Sequence, residues 1–165
     1  MTTPEDLLDR AAILRTLRRY SQGVDQRQWD LYLSSFTDEG TVEIPGYLEK
    51  RISAKEFVTF LSGTFDRNRL SGQHVLGNTL FDLRGDRART VTEFLAYTTE
   101  QQDEDVAVQR SAGLYVDDLV RAEGGWLIAH RTLVRKSDNR KVVHYDQRTA
   151  ALTRNAARNP AVAGL

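Results

Sequence analysis

A chain of 165 residues with 40% hydrophobic and 28% charged side chains has the composition of one globular domain, long enough to bury about two thirds of its unfolded surface. Basic and acidic side chains balance at 23 each, which removes the electrostatic case for nucleic acid or an anionic membrane as partner. With no cysteine in the sequence, disulfides, thiolate zinc sites, iron–sulfur centres and a catalytic thiol are excluded.

The opening Met1-Thr-Thr-Pro-Glu-Asp6 is acidic and has no signal-peptide apolar core, and no apolar run approaches the ~18 residues of a membrane span, so the expected location is the cytoplasm. Thr3 as N-cap, Pro4 at the first helical position and Asp6 in the first turn predict a helix start. Ile13, Leu17, Tyr20 and Val24 then recur at helical spacing, which carries the helix to about Gly23. A second short helix is predicted over Gln28 to Phe36, stopped by Thr37-Asp-Glu-Gly40. Thr41-Val-Glu-Ile44 reads as a strand ended by Pro45-Gly46. Ser53-Ala-Lys-Glu56 is a capping box opening a helix that buries Phe57, Phe60, Leu61 and Phe65.

Beyond that helix the apolar period changes from 3.6 to 2. Four long strands are predicted over His74 to Leu83, Arg89 to Gln101, Val106 to Leu119 and Trp126 to Val134, with turns at Arg84-Gly-Asp-Arg87, Gln102-Asp-Glu104 and Glu123-Gly-Gly125. Helices first and an antiparallel meander second define an α+β fold, a curved sheet with helices packed on one side. The domain is expected to span residues 1–147. Residues 148–165, rich in Ala, Arg and Asn, form a tail or helical arm, and His144 just before them reads as a surface residue.

Two polar residues far apart in sequence stand out. Asp25 falls between the first two helices, and His74 opens the first long strand. An aspartate that holds an imidazole makes it a poised proton shuttle. Each residue also has a structural alternative: Asp25 as cap of the second helix, His74 as a partly exposed strand-end histidine. Tyr20 lies on the apolar stripe of the first helix, where it is either a core tyrosine or a hydrogen-bond donor. Strict alternation puts Arg131, Leu133 and Arg135 on one face of the last strand and Trp126, Ile128, His130 and Val134 on the other. His130 and Arg135 then line one pocket only if a bulge intervenes.

This order of elements, with Arg19-Tyr20, Val24-Asp25, Trp29-Asp30 and Phe36, then Gln73-His-Val-Leu-Gly-Asn78, and finally Gly125-Trp-Leu-Ile128 with Arg135, resembles the SnoaL-like family of the NTF2-like superfamily. The resemblance covers about residues 10 to 136. Within the family the motifs are most similar to those of scytalone dehydratase, bile-acid 7α-dehydratase and hexachlorocyclohexane dehydrochlorinase. It implies a cone-shaped barrel enclosing one pocket, catalysis without metal or organic cofactor, and elimination chemistry. Asp25 and His74 fall on the family's catalytic dyad, Tyr20 on a site tyrosine and Arg135 on a site arginine of the bile-acid enzyme. The second imidazole of scytalone dehydratase has no counterpart, because that stretch reads Tyr97-Thr-Thr-Glu100. Its site serine corresponds to Ser111, but its neighbouring asparagine falls near Gly113.

The implied reaction is removal of a proton next to a carbonyl and loss of water from a hydrophobic hydroxy-carbonyl compound, of polyketide or steroid type. Ile44, Tyr47, Phe57, Leu76, Phe94, Tyr97, Ser111 and Tyr115 are the residues from which the pocket lining is drawn. The same fold also serves polyketide cyclases, ketosteroid-isomerase-like enzymes and non-catalytic binding modules. Limonene-epoxide hydrolases on this fold use an Asp-Arg-Asp set, and a hairpin centred on Gln102-Asp103, which places Leu95 near Arg110, lets Glu93 approach Arg110. A sheet with one uncovered face points to a homodimer or homotrimer as the assembly.

Overall fold

In the computed structural model, which describes residues 3–143, the chain opens with α1, Pro4–Gln26. Its start is the expected one: Thr3 Oγ1 accepts the Asp6 N–H at 3.1 Å, and Asp6 returns the bond to the Thr3 N–H at 2.7 Å. Its end is later than predicted. The helix continues to Gln26 and is capped by Arg27 in the left-handed region at φ 55°, so Asp25 belongs to the last turn of α1 and not to a junction. The second helix, α2, is only Trp29–Leu33. Ser35 accepts the Ile128 N–H on its carbonyl at 2.9 Å, and that bond draws Phe36 into a strand before a longer helix can form.

That strand, β1, is Phe36–Glu43, and it absorbs the Thr37–Gly40 segment expected to be a helix stop. Gly40 is required there, because a Cβ on it would lie 2.8 Å from the Phe36 side chain. A two-residue β2, Ile52–Ser53, precedes α3, Ala54–Phe60, whose Ser53–Glu56 capping box is formed as the sequence predicts. A π-helical turn, Leu61–Phe65, follows. The side chain of Phe65 lies outside the described ones, as do the predicted domain boundary at 147, the tail and His144.

Four long strands complete the chain: β3 Arg69–Arg84, β4 Arg87–Gln102, β5 Asp105–Ala122 and β6 Gly125–Val143. All run longer than their apolar cores suggest: the hairpin turns are only two residues each, with Gly85 at φ 61° and Gly124 at φ 86° supplying left-handed positions, and β3 and β6 extend at their outer ends to Arg69 and Val143. The sheet order is β2-β1-β6-β5-β4-β3. It is mixed and not wholly antiparallel, since β1 returns beside β6 in the parallel sense.

Bulges set which side chains face the helices. In β6, Leu119 pairs with Ile128 but Asp118 with His130, leaving Ala129 as an extra residue; Lys136 is a second extra residue, between the Gly113–Arg135 and Ala112–Ser137 pairs. The first bulge reverses the phase. Trp126 and Ile128 therefore share the inner face with Arg131, Leu133 and Arg135, whereas His130 turns outward to Thr41 Oγ1 at 2.9 Å and Thr132 Oγ1 at 3.1 Å.

The helix α1 lies across this inner face and buries Ile13, Leu17, Tyr20 and Val24 against Phe94, Tyr115, Leu119, Trp126 and Ile128. Near its start, Asp9 takes both ends of the Arg121 guanidinium at 2.8 and 2.7 Å and the Trp126 Nε1–H at 3.0 Å. Those bonds, the Arg121 pair foremost, hold the Asp9 carboxyl below its usual range. A depressed folded-state value contributes stability above the ordinary carboxylate range, about pH 3.9, and loses it as pH falls through the folded value. Asp9→Asn is therefore expected to lower the unfolding temperature near pH 7, with the gap from wild type closing as the pH is taken below about 4 in thermal melts.

Candidate functional site

Between α1, α3, the π-helical turn and the inner face of β3–β6 lies a cavity of about 110 Å³. Its walls are aromatic and aliphatic on the helix side (Tyr20, Val24, Trp29, Phe57, Phe60, Leu61), joined by Ile44 and Tyr47 at the end of β1. Phe94, Tyr115 and Leu133 line it from the sheet, and a polar set, Thr98, Gln109, Ser111 and Arg135, lies further along the same strands. His74, Asp66 and Arg69 complete the lining.

The geometry around His74 is specific. His74 Nδ1 lies 2.6 Å from Asp25 Oδ1, and the His74 backbone N–H donates to Asp25 Oδ2 at 2.7 Å. One carboxylate thus fixes both the strand and the ring. Asp25 is only 4% exposed and does not itself line the cavity; it sits behind His74. Its oxygens are engaged by His74, and the N-cap of the second helix is Gln28, so Asp25 is not the cap. A carboxylate accepting from Nδ1–H leaves Nε2 as the nitrogen with the free lone pair. Phe94 and Tyr115, stacked on each other at 4.3 Å, flank the imidazole with centroids 6.2 and 6.4 Å from it.

Tyr20 lies on the apolar stripe and on the cavity wall at once. Burial raises its pKa, so the phenol keeps its proton and remains a donor. Arg135 lines the cavity with its guanidinium 5.0 Å above the Tyr47 ring and donates to Asp138, a carboxylate that also takes Ser111 Oγ at 3.0 Å and Gln109 Nε2 at 2.8 Å. The bulge at Lys136 is what lets Arg135 and Asp138, three apart in a strand, meet on one face.

Of the lining expected from sequence, Ile44, Tyr47, Phe57, Phe94, Ser111 and Tyr115 border the cavity. Tyr97 does not. The β4–β5 register runs without a bulge, so Phe94 and Tyr97 face opposite sides, and Tyr97 is exposed beside Arg110. Leu76 faces inward opposite Phe94 but packs into the core away from the cavity. The Glu93–Arg110 approach is absent: Arg110 pairs with Tyr97, Leu95 with Ala112, and Glu93 turns outward to Asn78 and Lys136. Gly113 explains why no asparagine stands there, since a Cβ would lie 2.2 Å from the Val134 carbonyl and 2.8 Å from the Phe94 ring.

A feature that simple register counting hides is the fully buried ion pair of Arg131 and Asp117, joined by two bonds of 2.6 and 2.7 Å. The guanidinium lies 3.8 Å from the Tyr20 ring centroid and 4.1 Å from that of Tyr115, in the corner the two edge-to-face rings make just behind the cavity wall. Burial works against the charge, but Asp117 outweighs it and Arg131 holds its proton more firmly than a free guanidinium. Counted straight back from the turn, Asp117 would face His130, and only the Ala129 bulge delivers Arg131 to it. Among the described residues no group of three or more His, Cys, Asp and Glu side chains is arranged to hold a metal ion, and no helix is long and apolar enough to cross a membrane.

A curved sheet closed over an N-terminal helix, with one apolar pocket between them, is the cone architecture of the NTF2-like superfamily. The chain belongs to the SnoaL-like family, whose domain model matches residues 5–132. No curated protein matches the sequence. Among solved structures it is similar to hexachlorocyclohexane dehydrochlorinase LinA-type3 of Novosphingobium barchaimii, with 17% identity over 85% of this chain and 95% of that one and a TM-score of 0.70. A protein provisionally named scytalone dehydratase from Novosphingobium aromaticivorans gives 18%, 84%, 91% and 0.71 by the same measures. Kfla4162 of Kribbella flavida gives 19%, 81%, 94% and 0.70. At these identities the likeness carries the fold.

Removing one partner of a buried ion pair strands the other charge, which costs about 3–5 kcal/mol. Arg131→Met is expected to lower unfolding free energy by that order in urea titrations, and adding Asp117→Leu to it to restore part of the loss.

Proposed function

We propose that this chain is a cofactor-independent lyase of the dehydratase type, with Asp25 and His74 as its proton-transfer pair. The observation that carries the reading is the double hold of Asp25 on His74 at 2.6 and 2.7 Å beside an apolar cavity. With Nδ1–H given to Asp25, Nε2 takes a proton from carbon next to a substrate carbonyl. The electron pair of that C–H bond becomes the enolate, and Tyr20, kept protonated by burial, donates to the carbonyl oxygen as charge develops. Collapse of the enolate breaks the C–O bond to the β-hydroxyl, and the proton on Nε2 leaves with that oxygen as water. One histidine serves as base and then acid, and the products are an unsaturated carbonyl compound and water.

Arg135, already neutralised by Asp138, stands at the polar end of the cavity as an orienting group for a second substrate oxygen. The volume, about 110 Å³, is well below the ~300 Å³ at which drug-sized ligand sites begin, and favours a compact ring or short-chain substrate over a steroid. The outer face of the sheet exposes Val75, Leu95, Tyr97 and Val134, a surface suited to a second copy in a homodimer or homotrimer.

Incubation with small β-hydroxyketones such as 3-hydroxycyclohexanone, followed by absorbance of the conjugated enone, tests the proposal. Turnover is expected to fall by roughly 10²–10⁴-fold in His74→Ala and Asp25→Asn, and less in Tyr20→Phe. Activity that survives His74→Ala, or tight binding of such compounds without turnover, would sink it, the latter in favour of a binding module.

A further inference from the structure

Asp25 stands in an electrostatically poor place. It is a carboxylate in the last turn of a 23-residue helix, where the dipole presents negative charge, and that turn contains no basic residue. It is also nearly dry. Something outside the helix must compensate for it.

The compensation comes from the start of β3. Arg69, whose side chain is 6% exposed, donates through Nη2 to the Val24 carbonyl at 2.9 Å, one of the orphan acceptors of the helix end. Its Nε lies 2.7 Å from Asp66 Oδ1. Asp66 is placed by the π-helical turn, since its own N–H donates to the Leu61 carbonyl at 3.0 Å. Arg27, the left-handed cap of α1, lies 3.4 Å from the other Asp66 oxygen and donates to the Arg69 carbonyl. Two guanidinium groups therefore share the Asp66 carboxylate beside the end of α1.

The third nitrogen of Arg69 lies over Gly72. A Cβ on Gly72 would lie 2.6 Å from Arg69 Nη1 and 3.5 Å from Asp25 Oδ1, so the bare Gly72 leaves room for the guanidinium on the side of the strand where Asp25 meets His74. Gly72 is two residues before His74 on the same inward face.

We infer that Arg69 is a positioning residue for the dyad: it seats the end of α1 on β3 and so keeps Asp25 aligned on His74, with Gly72 as its clearance. The inference rests on the Asp25–His74 reading above. Arg69 acts through Asp25 and not on the substrate, so its loss affects the chemical step more than binding.

The decisive measurement is ¹⁵N NMR of the imidazole rings, with His74 assigned by the signals lost in His74→Ala. Wild type is expected to show His74 as a single Nδ1–H tautomer near neutral pH. Gly72→Ala retains every charge, and its Cβ clashes only with Arg69 Nη1 at 2.6 Å while resting at van der Waals distance, 3.5 Å, from Asp25 Oδ1, so the fold is kept while the guanidinium is pushed aside. That variant and Arg69→Met are both expected to show His74 as a tautomer mixture. On a β-hydroxyketone that wild type turns over, kcat falls roughly 10- to 100-fold with KM little changed. Arg69→Lys, which keeps the charge without the fork, lies between. A fixed tautomer in both Gly72→Ala and Arg69→Met overturns the role of Arg69 and leaves the dyad reading intact. A mixed tautomer in wild type itself overturns both.

Discussion

The inner side of this cone is organised around a carboxylate with almost no access to water. Asp25 meets that constraint by giving one oxygen to the His74 ring and the other to the His74 backbone N–H, so a single side chain docks a helix onto a strand and orients an imidazole. Hydrogen bonds to a charged group contribute about 1.5–3 kcal/mol each, enough to offset a good part of the cost of drying the carboxylate. The structural and the chemical consequences of this contact cannot be separated. The same bonds that set the distance between α1 and β3 also decide which ring nitrogen faces the cavity.

A second buried charge governs the opposite wall. Arg131 joins its fork to Asp117 and lies against both Tyr20 and Tyr115, whose rings meet edge to face with centroids 5.4 Å apart, so one buried cation contacts both phenol rings from behind. Stacking on aromatic faces suits a guanidinium better than an ammonium, because the planar cation is weakly hydrated and lies flat against the rings. The aromatic part of the cavity wall is therefore backed by a buried charge pair one layer below it.

Much of this architecture was legible in the residues. The Thr3 and Ser53 caps, the apolar stripe of α1 and the positions of the hairpin turns were readable because each depends on neighbours within a few positions. The pairing of Asp25 with His74, 49 residues apart, was legible only through the family resemblance. What stayed hidden depended on extra residues in strands. No local property of Ala129 or Lys136 marks it as a bulge, yet those two positions decide that Arg131 and Arg135 face inward and His130 outward. The Tyr97 expectation failed for the converse reason, since β4 and β5 pair without interruption and strict alternation holds there. The short α2 and the early β1 were set by the parallel pairing with β6, a contact no window of sequence contains.

The unpaired Ala129 gives the last strand an asymmetry in how it tolerates changes of length. Loss of one residue at the bulge leaves a regular strand in which every downstream side chain keeps its face, because the extra residue is the one removed. Loss of one residue from the middle of β4, where there is no slack, turns every side chain beyond it over, taking Ala96 and Thr98 out of the cavity wall and bringing Leu95 and Tyr97 into it. Descendants of this chain can therefore shorten or lengthen β6 near its bulges while preserving the cavity. In β4 they are confined to changing one side chain for another.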